Sequence, residues 1–143
     1  MDQTTQLLSR IAKNARTGAE ATEQLIQRTP DGQMRSELLF QKEQYLSTDQ
    51  RAAQMLTQMG RRPEKAGPME KAGMWMGIRM DTALDTTPSH IADLMIQGAT
   101  MGVIDATKAR NQYPDASAEA HGLASEYITH SQDAIERMKQ FLQ

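Results

Sequence analysis

Apolar residues recur along this chain at helical rather than strand spacing. Leu7, Leu8, Ile11, Ala15, Gly18, Thr22, Leu25 and Ile26 share one side of a 3.6-residue period and predict a first helix over 4–28. Thr29-Pro30-Asp31-Gly32 ends it, because Pro30 cannot continue a helix and disfavours helical geometry at Thr29. Asp31 is placed to cap a second helix, carried to about position 59 by Met34, Leu38, Tyr45, Ala52, Leu56 and Met59. Gly60 then falls where a helix usually ends in a left-handed residue. Positions 61–67 read as a connection, and Pro68 opens a shorter third helix over 68–84. Met69, Ala72, Met76, Met80 and Ala83 make its stripe, with Trp75 and Ile78 off it. After the break at Asp85-Thr86-Thr87-Pro88, a fourth helix is expected from Ser89 to Gln112, and Pro114-Asp115 turns the chain into a fifth, Ala116 to Leu142.

Four of these segments are about 23–30 residues long, or about 35–45 Å at the α-helical rise. The pairs 4–28/31–59 and 89–112/116–142 are joined by very short turns, so each is expected to form an antiparallel hairpin. Two hairpins separated by a long helical crossover is the wiring of a ferritin-like four-helix bundle, five helices in all; an up-and-down five-helix bundle is the alternative. The fourth helix carries Ile91, Leu94, Met95, Gly98, Met101 and Gly102 on one face and Ala92, Ile96, Ala99 and Val103 on another. Apolar on two sides, it is expected to be the most buried helix, with Gly98, Ala99, Gly102 and Ala106 admitting a close backbone neighbour or a subunit contact.

Composition agrees with helix and narrows the rest. The chain has 143 residues, suited to one domain over 1–143. It is 38% hydrophobic but only 4% aromatic, so Leu, Ala and 11 Met must fill the core. Sixteen basic and eighteen acidic residues give a formal charge of −2, which predicts no nucleic-acid partner. Arg61, Arg62 and Lys65 form one basic cluster, read as a solvated turn rather than a phosphate site. With no Cys, disulfides, Fe–S clusters and thiol chemistry are excluded. No apolar run reaches membrane-spanning length and the first residues do not read as a signal peptide, so a cytoplasmic location is expected.

Bundles of this wiring often hold a di-iron or di-manganese site made from a Glu on each of two helices and a Glu-x-x-His on the other two. Here Glu20 falls opposite its helix's apolar stripe, Glu43 faces away from Leu38 and Tyr45, and Glu126 has Thr129 where His is required. No metal by that pattern, no cofactor and no catalytic triad, phosphate loop or zinc spacing is therefore expected, with iron or manganese as the alternative. Some polar residues do project inward: Gln41 and Asp49 beside Tyr45, Asp105 between Met101 and Ala109, and Tyr127, Ser131 and, at the edge, His130. They admit two readings. One is an interhelical network in which Asp49 and Asp105 accept hydrogen bonds from Tyr45, Tyr127 or His130. The other is an atypical metal or ligand site built from Asp49, Asp105, Tyr127 and His130. His90 at a helix start and His121 on an outward face read as solvated or hydrogen-bonded side chains. The methionines between Met69 and Met80 read as core filling or as an adaptable binding surface.

Lys71-Ala72-Gly73-Met74-Trp75, Ile78-Arg79-Met80 and the run from His90 to Gly102 resemble uncharacterised ferritin-like proteins of Firmicutes, a group with spore-coat-like relatives. The resemblance implies a ferritin-like bundle and, with the metal-ligand pattern missing, no ferroxidase activity. The expectation is a non-enzymatic structural or interaction protein that self-associates through its helix faces. The alternative is a metal- or small-ligand-binding bundle, a possible oxidoreductase.

Overall fold

The computed structural model of the chain describes residues 2–62 and 85–143. They form four α-helices, α1 (Gln3–Arg28), α2 (Gly32–Gln58), α3 (Pro88–Gln112) and α4 (Ala118–Met138), followed by a 3-10 turn, Lys139–Phe141. No strand occurs among the described residues. The helix expected over 68–84 lies outside them.

Local chemistry sets each boundary. Asp2, Asp31, Thr87 and Ser117 cap the four helices, each side chain accepting a hydrogen bond from the backbone N–H three residues on. α3 starts at Pro88, one residue earlier than expected, because proline's fixed φ suits the first helical position. α4 starts at Ala118, since Ser117 is its cap and not part of its first turn. Gly60 ends α2 at φ 73°, with its N–H on the Thr57 carbonyl and the Arg61 N–H on that of Leu56. This is the paired C-terminal closure that glycine makes cheaply.

The helix directions follow from contacts at the two ends. At one end the α3–α4 turn is tied to the start of α1: Asp115 N–H donates to Gln3 Oε1 (2.7 Å) and Ser117 N–H to Thr4 Oγ1 (2.8 Å). Arg61, just past α2, reaches Asp2 at that end (3.4 Å). At the other end Gln143 N–H donates to Ser89 Oγ (3.0 Å), and Arg137 meets Glu37 near the start of α2. Thus α1 and α4 run one way and α2 and α3 the other. α2 finishes at the end from which α1 starts, whereas α3 begins at the far end.

α1 packs against all three other helices, and α4 does the same, while α2 and α3 stand at the far corners of the cross-section. Thirteen of the 26 residues of α1 are buried, against nine of 25 in α3. α1, not the predicted fourth helix, is therefore the most buried among those described. The expectation failed because the apolar residues of α3 exceed the area its neighbours cover: Met101 is 45% and Ile104 51% exposed. The core falls into two clusters. One gathers Leu7, Leu8, Ile11, Leu56, Leu123, Tyr45 and Tyr127; the other gathers Leu25, Met34, Leu38, Ile91, Met95 and Met138. Between them lie the buried polar residues Thr22, Gln41 and Ser131.

Candidate functional site

The bundle centre is organised by two tyrosines seated on two glycines. Tyr45 of α2 lies against Gly18 of α1, so closely that a Cβ there would sit 2.7–2.8 Å from three ring carbons. Tyr127 of α4 lies against Gly102 of α3, with its hydroxyl 2.5 Å from where a Cβ would be. Each hairpin thus provides one glycine and one tyrosine, and the two rings meet between hairpins at 6.2 Å, tilted by 47°. Gly102 therefore admits a phenol rather than the neighbouring backbone expected from the small-residue stripe. Burial pushes the Tyr45 phenol up to about 12. Burial, then the neighbouring Tyr45 and the Asp105 charge, push that of Tyr127 higher still. Both are neutral at ordinary pH.

The inward carboxylates have basic partners that the sequence reading did not find. Asp105 accepts from Arg10 Nη2 (2.6 Å), Arg10 Nε (3.3 Å) and Asn14 Nδ2 (2.7 Å). Burial alone would raise this carboxyl, but the bonds from Arg10 and Asn14 and the charges of Arg10 and Lys108 outweigh it and hold it below the usual value. Asp49 faces Arg16 at 3.6 Å, too long to offset burial, which leaves its carboxyl raised. The expected network, with Asp49 and Asp105 bonded to Tyr45, Tyr127 or His130, is corrected to two separate arginine pairs. Arg10 and Asn14 stand four residues apart on one face of α1, the spacing that brings both onto a single acceptor. What the sequence could not supply was that this face meets α3.

A third carboxylate, Glu37, is more buried than either, at 8% exposure, and went unnoticed in the sequence. It accepts from Arg137 Nε and Nη2 (both 2.9 Å) and from Gln41 Nε2 (2.5 Å). The Arg137 guanidinium also lies 4.3 Å above the Phe40 ring, a cation–π contact that helps fix the orientation of the fork. The glutamates tested for metal binding are placed otherwise: Glu20 is half-buried, Glu43 is exposed, and Glu126 pairs with Arg51 on the surface. Among the described residues, no group of three or more His, Cys, Asp or Glu could hold a metal ion.

Of the four residues grouped in sequence, Tyr127 and His130 line one cavity, Asp105 reaches Tyr127 through its charge alone, and Asp49 faces Arg16. Gln41, Tyr45 and Thr48 of α2 and Tyr127, His130 and Ser131 of α4 line a small cavity with space for about one water molecule. The cavity surface is almost wholly apolar: His130 Nδ1 is buried without a hydrogen-bond partner, and Ser131 stands within hydrogen-bond reach of the Tyr127 side chain. His121 donates to or accepts from its surroundings as expected of a hydrogen-bonded side chain, with Nε2 3.0 Å from the Tyr113 carbonyl. His90 Nε2 is buried and unpartnered.

Comparison with known proteins yields the fold. No family model and no curated protein matches the chain. A solved structure that does resemble it is a DUF305 fragment from Deinococcus radiodurans, with a TM-score of 0.77 at 17% identity over 98% of this chain and 95% of that one. This likeness shows an all-helical bundle. It also overturns the resemblance to Firmicutes ferritin-like proteins. That resemblance rested on small and apolar residues at helix-packing positions, a pattern imposed by any close helix pair, and half of its motif lies outside the described residues. Among those residues no helix is long and apolar enough to cross a membrane.

Proposed function

We propose that the chain is a cytoplasmic, non-enzymatic helical bundle that acts by self-association. The observation that carries this reading is that its inward carboxylates, Asp49, Asp105 and Glu37, each face an arginine, with a neutral tyrosine pair between the hairpins. Of these, Asp105 and Glu37 serve as interhelical ties that hold the register of α1 on α3 and of α2 on α4. We also infer ferritin-like wiring, in which the chain leaves α2 at one end of the bundle and enters α3 at the other. Its support is that Arg61 lies beside Asp2 at one end and Ser89 beside Gln143 at the other.

For self-association the exposed face of α3 is the best surface. Met101 and Ile104 are its apolar centre, and the exposed Asp93 and Lys108 flank them with opposite charges. Pairing two copies antiparallel about a two-fold axis near Met101 places each Asp93 opposite the other copy's Lys108. Two apolar side chains per copy make a small interface, so a concentration-dependent dimer is expected. Light scattering across a concentration series tests it. Ile104→Lys and Lys108→Asp should each give monomer at all concentrations, and Asp93→Lys with Lys108→Asp should restore the dimer. A wild-type chain that stays monomeric at millimolar concentration removes self-association. Metal analysis of protein purified without chelator tests the non-enzymatic half. Stoichiometric iron or manganese that disappears in Asp105→Ala would replace it with the metal-binding reading of Asp49, Asp105, Tyr127 and His130.

A further inference from the structure

The methionines of the bundle stand in two different environments. Met34 and Met138 are fully buried and Met95 is 1% exposed, so their thioethers are packed away from solvent. Met101 on α3 is 45% exposed and Met59, the residue that ends α2, is 40% exposed. A thioether in water is open to two-electron oxidants, and oxidation turns a flexible apolar side chain into a polar one. At Met59 the added oxygen would meet solvent alone. Met101 stands beside Ile104, itself 51% exposed, between the exposed Asp93 and Lys108. The same change there falls on the apolar centre of the α3 face.

We propose that Met101 is a modification site through which peroxides control pairing of the chain, an inference that rests on the self-association proposed above. The oxidant is a peroxide from outside the protein. One of its oxygens bonds to the Met101 sulfur as the O–O bond breaks. Sulfur gives up two electrons, the peroxide takes them, and the second oxygen leaves as water with both protons of hydrogen peroxide.

The antiparallel pairing brings both copies of Met101 near the two-fold axis, so each dimer would carry the lesion twice. Lys108 faces the other copy's Asp93 in that pairing, and Ile104 offers no donor. Burying a sulfoxide oxygen there without a hydrogen bond should raise the dimer Kd by about tenfold or more. A dimer held by two apolar side chains per copy exchanges with monomer, and the monomer is the form in which Met101 is open. Oxidation then captures the monomer and pulls the equilibrium towards it.

Hydrogen peroxide added to the full chain tests this, with peptide mass spectrometry reading oxidation at 101 and 59 and light scattering reading the dimer. Oxidation at Met101 should slow as protein concentration rises, whereas that at Met59 should not change. Oxidised protein should be monomeric where untreated protein is dimeric, with its helical circular dichroism retained. Met101→Leu should keep the dimer before and after peroxide, and Met101→Gln should be monomeric without it. Complete oxidation at Met101 with an unchanged dimer would overturn the proposal. So would an equal loss of dimer in Met101→Leu, which would assign the effect to another methionine, or a loss of helix on oxidation, which would show damage to the core. Untreated wild-type protein that never dimerises removes the underlying self-association and this proposal with it, and that result appears before any peroxide is added.

Discussion

Gly18→Ala should destabilise the bundle by about 2 kcal/mol, although alanine is better than glycine within a helix by about 1 kcal/mol. The added Cβ would lie 2.7–2.8 Å from three atoms of the Tyr45 ring, distances that force the ring or the helix to move. Neither moves freely, since the ring is 6% exposed and lies against Tyr127, and α1 is packed on three sides. Tyr45→Leu should remove most of the penalty, so the double variant should be more stable than the sum of the singles predicts. Gly102→Ala offers a cleaner control. There only the Tyr127 hydroxyl lies closer than 3 Å, and the next ring atom stands at 3.4 Å. Tyr127→Phe should therefore rescue Gly102→Ala almost completely. Urea denaturation of the four single and two double variants measures both cycles. Additive effects would show that the tyrosines are not seated on these glycines.

Asp105 and Asp49 should respond to pH with opposite signs. The folded-state carboxyl of Asp105 lies below its unfolded value, so its contribution is fully present above the unfolded value near 3.9 and is lost as pH falls through the lower folded value. Asp49 is raised in the folded state, chiefly by burial, so its contribution is present below the unfolded value and lost as pH rises through the folded one. At pH 7, Asp105→Ala should cost about 2 kcal/mol, allowing for solvent screening of a carboxylate one-third exposed and for leaving Asn14 buried and unpaired. Asp49→Asn at pH 7 should cost little or should stabilise slightly, because Arg16 at 3.6 Å recovers only part of the burial cost. Repeating the unfolding at pH 2.5 should shrink the Asp105 effect markedly. Equal losses for the two variants at pH 7 would contradict the different burdens assigned to these carboxylates.

The helices, their caps and much of the interior were legible because those signals are local. Asp31, Gly60 and the Pro114 turn act within a few residues of themselves, and the structure has them where the sequence puts them. Gln41, Tyr127 and Ser131 face inward and His130 sits at the edge, as angular position around a helix dictates. What could not be read is which helix a face meets. Arg10, Asn14 and Arg16 lie on α1 at positions that look solvated until α3 and α2 are laid beside them. Met101 shows the converse error: its place beside Gly98 and Gly102 suggests burial, but α2 is too far from α3 to cover it. Glu37 was overlooked because its partner, Arg137, is 100 positions away.

The opposed placement of the chain's ends has a mechanical consequence. Asp2 lies at one end of the bundle and Gln143 at the other, and the terminal helices α1 and α4 run parallel and in contact. A pull applied through residues 2 and 143 would load the contact between these two helices in shear. Many side-chain contacts would have to yield together, as in shear, instead of one at a time as in peeling. Partners fused at the two ends would accordingly be held about 40 Å apart by a stiff rod, the length of a 26-residue helix.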